Sequence, residues 1–146
     1  MTSVAAYEHL EAHWRRLSHI GDAISALHWD QSVMMPPGGA AARADQIATL
    51  SVLRHDVMAD PKIEDLLSEA EAGLVGDSWQ IANLAEMRRL WAHATAVPGG
   101  LVEAMSKAGS HCETMWRDAR PNSDFALVLP ALRDVLALTR DVAQAK

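Results

Sequence analysis

The chain has 146 residues, a net charge of -6, 13 Lys and Arg against 19 Asp and Glu, and a single cysteine, Cys112. That length supports one hydrophobic core rather than two lobes around a cleft. The acidic balance opposes tight binding to nucleic acid, which needs clustered Lys and Arg, and one cysteine cannot build an internal disulfide framework or a thiolate metal site. The amino terminus lacks a basic segment followed by an apolar run, and no uninterrupted apolar stretch reaches ~18 residues. These features predict a cytoplasmic protein without export signal or membrane span.

Tyr7, Leu10, Trp14, Leu17, Ile20 or Gly21, Ile24, and Leu27 or His28 follow three-four spacing, which predicts one long amphipathic helix from about Ser3 to Met34. It stops at Met35-Pro36-Pro37-Gly38-Gly39, where prolines remove donors and glycines permit tight turning. A second helix is predicted over about Ala40 to Met58, with Ala44, Ile47, Leu50, Leu53 or Arg54, and Val57 inward. Asp60-Pro61 reads as an N-cap with proline at the first helical position, opening a short helix that ends near Gly73. Asp77 or Ser78 caps a fourth helix to about Ala94, burying Ile81, Leu84, Met87 or Arg88, and Trp91.

A fifth helix, about Gly100 to Arg117, aligns Leu101, Met105, Ala108, Cys112 and Met115 on one stripe. Asp124 caps the last segment, which Pro130 is expected to divide into an initial turn and a main helix with a strongly apolar face. The helical pattern continues to Lys146 without a glycine cap or a closing proline, the pattern of an interrupted sequence. The expectation is an all-α chain of about six helices in an antiparallel hairpin array, forming a single helical domain over 1–146.

Few residues carry a chemical signature. His9 and His13 lie four apart on one helix face, but Glu11 is two residues after His9, about 200° around the helix, instead of directly following it as in the H-E-x-x-H zinc motif. The five tryptophans read as core and interface, Cys112 as packed, and the Glu64, Asp65, Glu69 and Glu71 surface as a solvated face. No catalytic or metal-ligating residue is assigned.

The most specific stretch is Trp29-Asp30-Gln31, followed by Met35-Pro36-Pro37-Gly38, Arg43 and Gln46. It resembles the amino-terminal signature of the carboxypeptidase Taq family of zinc metallocarboxypeptidases. The likeness continues through Asn83-Leu84, Glu86-Met87-Arg88-Arg89, Asp124-Phe125 and Pro130, nearly the whole chain. The resemblance implies a helical wall and cover of a peptide-binding groove in a homodimeric enzyme that removes carboxy-terminal residues. It places the zinc, its ligands and the substrate-carboxylate arginine in a later region, so this chain alone is expected to hold no metal and to be inactive. A stand-alone module for protein interaction or dimerisation is the alternative.

From the residues themselves, the Pro-Pro-Gly reversal brings Asp30 within reach of Arg43. A bidentate pair is expected, with Gln46 or Gln31 satisfying the remaining hydrogen bonds.

Overall fold

The computed structural model describes residues 2–146, and every regular element among them is helical. Six α-helices follow in order: α1 (Ser3–Val33), α2 (Ala40–Met58), α3 (Pro61–Glu71), α4 (Ser78–Thr95), α5 (Gly99–Ala119) and α6 (Phe125–Ala145). A 3-10 turn, Pro37–Gly39, leads directly into α2. The all-α expectation holds, and the predicted boundaries lie within about two residues of those observed.

Local chemistry explains several boundaries. Asp60 caps α3 by accepting from Lys62 N at 3.0 Å, with Pro61 in the first turn where its missing donor costs nothing. Asp77 caps α4 through Trp79 N and Gln80 N, both at 2.9 Å, while Gln80 Oε1 accepts from Asp77 N at 3.1 Å, completing a capping box. Gly76 permits that box, since a Cβ there would stand 2.6 Å from Gln80 Oε1 and 2.9 Å from Gln80 Cβ.

The chain sorts into two compact units. The first joins the start of α1 to residues 54–96. Its core is Ala6, Tyr7, Leu10, Ile63, Leu67, Ala70, Leu84 and Met87, with Trp14, Leu66, Leu74 and Trp91 packed against it. Burying each large apolar side chain there contributes roughly 1.5–3 kcal/mol before chain entropy is subtracted. The second unit joins residues 23–53 to 97–146. Within it α6 packs on α5, and the buried apolar residues include Ile47, Ala48, Ala119, Val128 and Ala131.

Four expectations need correction. On α2 neither Leu53 nor Arg54 turns inward: both are exposed, and the buried residues of that helix are Ile47, Ala48 and Met58. Pro130 does not divide the last segment: α6 runs unbroken through it. Both Pro130 and Ala126, four residues earlier, are exposed, so the carbonyl that loses its intrahelical donor faces the side open to water. Ile81 is 55% exposed instead of buried, because Leu84 and Met87 supply the inward face of α4. Of the five tryptophans, Trp14 and Trp91 do pack on the core, whereas Trp29, Trp79 and Trp116 are exposed.

Candidate functional site

The signature residues gather around the end of α1 and the start of α2, within the second unit. Helix α1 continues past Asp30 to Val33, and the Asp30 carbonyl accepts from both Met34 N and Met35 N at 2.9 Å. The chain then turns through Pro36, Pro37 and Gly38, all exposed, with Gly39 N donating to Pro36 O at 2.8 Å. Met35 is half-buried beneath this turn.

Arg43, one turn into α2, points back at α1. Its Nη1 forms an ion pair with Asp30 Oδ2 and also donates to the Leu27 carbonyl at 3.1 Å, while its Nε donates to Gln46 Oε1 at 3.0 Å. The expected Asp30–Arg43 pair therefore forms, but through one nitrogen and one oxygen instead of a bidentate fork. The physical reason is division of the guanidinium among three acceptors, a carboxylate, a main-chain carbonyl and an amide.

Gln46 plays the supporting part expected of it; Gln31 does not. Gln31 is 3% exposed, and its Nε2 donates to Glu113 Oε2 on α5 at 3.1 Å. Glu113 in turn accepts from Arg117 Nη2, one turn later. Asp30 and Gln31, adjacent in sequence and about 100° apart around α1, thus fasten that helix in two directions, to α2 and to α5. Trp29 points outward at 61% exposure, beside the exposed Val33 and Met34. Sequence reasoning missed the Leu27 carbonyl, Glu113 and Arg117. The four-residue spacing of Glu113 and Arg117 signals an ion pair, but nothing in a sequence links Gln31 to a residue 82 positions away.

These contacts fasten α1 to α2 and to α5. Among the described residues no three His, Cys, Asp or Glu side chains are placed to hold a metal ion. His13 donates its Nε2 proton to the Val57 carbonyl at 2.8 Å, so that nitrogen offers no lone pair, and His9 on the preceding turn is exposed. The donor set of a zinc centre does not fit these residues.

The described residues thus form an all-helical scaffold with a buried glutamine and an Asp-Arg-Gln cluster about a Pro-Pro-Gly turn. The family model described as carboxypeptidase Taq (M32) metallopeptidase matches residues 9–146, and the chain belongs to that family. Thermostable carboxypeptidase 1 of Thermus thermophilus is 36% identical over 147 residues, covering 99% of this chain and 29% of that protein. Thermostable carboxypeptidase 1 of Pyrococcus furiosus is 28% identical, over 91% of this chain and 27% of the relative. Among solved structures, metallocarboxypeptidase 1 of Trypanosoma cruzi superposes with a TM-score of 0.74 at 33% identity, covering 97% of this chain and 28% of that one. The BsuCP crystal structure superposes at 0.88 with 20% identity, a likeness of fold alone. The chain spans less than a third of the length of these relatives.

Proposed function

We propose that this chain forms the amino-terminal helical wall and cover of a peptide-binding groove in a carboxypeptidase Taq-type enzyme that removes carboxy-terminal residues from peptides. The observation that carries the reading is the family match over nearly the whole chain, together with the Asp30–Arg43–Gln46 cluster at its most distinctive motif. In this reading residues 1–146 act as one helical domain, and zinc belongs to a region outside these residues. Asp30, Gln31, Arg43 and Gln46 hold α1 in place; Trp29, Met35, Pro36, Pro37 and Gly38 shape the edge of the groove. The complete protein would be a cytoplasmic homodimer acting on peptides.

The test begins with zinc content and carboxypeptidase activity of the purified chain, assayed on a blocked dipeptide with added zinc or cobalt. Substoichiometric zinc and no cleavage are expected. One metal per chain with metal-dependent cleavage would overturn the assignment, and His9 and His13 would then be replaced first. A chimera carrying this chain in place of the matching segment of the Thermus relative should bind zinc and cleave peptides. A folded, zinc-loaded and inactive chimera would count against the groove-wall role.

The second reading is a stand-alone module that engages a partner or a second copy. The exposed side of α6, with Leu132 and Leu136, is apolar surface that either such a partner or the region outside these residues would cover.

A further inference from the structure

Among the described residues two polar side chains are buried, Gln31 near the end of α1 and Ser110 in the middle of α5, at 3% and 5% exposure. Both belong to the second unit. Each has one atom, Gln31 Oε1 and Ser110 Oγ, that is closed off from solvent and makes no hydrogen bond. Leaving such an atom unpaired costs more than a typical hydrogen bond contributes, so each calls for a partner.

Other hydroxyls inside the helices behave differently. Ser32, Thr49, Thr95, Thr114 and Thr139 each donate to the main-chain carbonyl four residues earlier, at 2.8–3.0 Å. Ser110 makes no such bond. Its hydroxyl is left for a partner beyond its own backbone.

Gln31 and Ser110 meet at Glu113. Gln31 Nε2 donates to Glu113 Oε2 at 3.1 Å. Glu113 follows Ser110 by three residues on one face of α5, and helical side chains lean over the turn N-terminal to their own, which sets the Glu113 carboxylate above Ser110. The Gln31 amide bonded to that carboxylate lies over the same turn. Turning the amide over would set Oε1 against the carboxylate, acceptor against acceptor, so its orientation is fixed. Glu113 already has its cation in Arg117. What Gln31 Oε1 and Ser110 Oγ call for is therefore a small neutral molecule that both donates and accepts, and no direct hydrogen bond joins the two atoms.

We propose that one internal water is held between α1 and α5, donating to Gln31 Oε1 and hydrogen-bonded to Ser110 Oγ, so that both ends of the Gln31 amide fasten α1 to α5. Two polar partners in a site closed to solvent are enough to hold a structural water. Ser110 is then a positioning residue for the Trp29-Asp30-Gln31 segment. The site belongs to the α1–α5 attachment itself and does not depend on the groove reading.

The experiment uses the whole chain. Oxygen-17 relaxation dispersion detects internal waters that tumble with the protein. Ser110→Val, whose added methyl takes the water's place, should lower the dispersion amplitude by about one water, with an unchanged helical circular dichroism spectrum. Gln31→Met, which removes the acceptor, should lower it equally, so the result does not hang on one variant folding. Urea unfolding of Gln31→Met, Ser110→Ala and the two together gives a double-mutant cycle. The combined effect on the unfolding equilibrium constant should fall short of the product of the single effects by about fivefold. Single effects that simply multiply would overturn the link between Gln31 and Ser110. An unchanged dispersion amplitude with the coupling intact would overturn the water in favour of a direct bond from hydroxyl to amide. A loss of amplitude in Gln31→Met alone would overturn Ser110 as the second partner.

Discussion

At the scale of single residues, Arg43 carries the most connections near the turn. Its side chain is 18% exposed and holds Asp30, Leu27 O and Gln46 at once. Arg43→Ala leaves a carboxylate and a carbonyl without their cation, and should lower unfolding stability by about 1–2 kcal/mol in urea titration, the partial exposure of Asp30 keeping the loss below that of a buried pair. Arg43→Lys should recover less than half, because an ammonium cannot reach three acceptors in a plane. The Glu71–Arg88 pair supports a pH prediction. Arg88 Nε and Nη2 each hydrogen-bond to Glu71, and this holds the Glu71 carboxyl below its usual range. A depressed folded value means protons bind the unfolded chain more readily. The contribution is therefore complete above the ordinary glutamate value and is lost as pH falls through the folded one. Arg88→Met should accordingly lower the melting temperature at neutral pH, and the gap from the parent should close in acid. Both partners are partly solvated, so the effect is small, below about 1 kcal/mol.

At the scale of elements, what a sequence discloses depends on how local the cause is. Asp60, Asp77 and Asp124 cap their helices as read, because a cap involves only the next two or three residues. The Asp30–Arg43 pair was also legible, since a Pro-Pro-Gly reversal fixes which residues of two adjoining helices can meet. The attachment of Gln31 to Glu113 was not: it depends on how α5 returns to α1, and no spacing rule reaches that far. Ile81 and Trp79 misled for a related reason, since composition says which residues could be buried but packing decides which faces find a neighbour. Pro130 misled differently. A proline breaks a helix only when the surroundings cannot absorb one missing bond, and an exposed side can. Two substitutions follow. Pro130→Ala should raise stability by about 1–3 kcal/mol by restoring a donor and a better helix former, read from the thermal midpoint. Ser123, which precedes the α6 cap, has φ 52°, a left-handed conformation that favours glycine. Ser123→Gly should therefore be neutral or stabilising by up to about 1 kcal/mol, where a glycine at an ordinary loop position would cost stability.

At the scale of the whole molecule, the two compact units are interleaved along the chain. Helices α1 and α2 each contribute to both units, and neither unit is a continuous stretch of sequence. This interleaving bears on how the protein emerges during synthesis. Residues 1–22 cannot complete their unit until residue 96 has been made, and residues 23–53 must wait for 97–146. A nascent chain halted shortly after α2 would hold the longest helix with neither core closed, at the stage when its apolar stripe is most open to chaperones. Ribosome-bound chains arrested near residue 60 should remain protease-sensitive throughout, and resistance over 1–22 should appear only once α4 has cleared the exit tunnel.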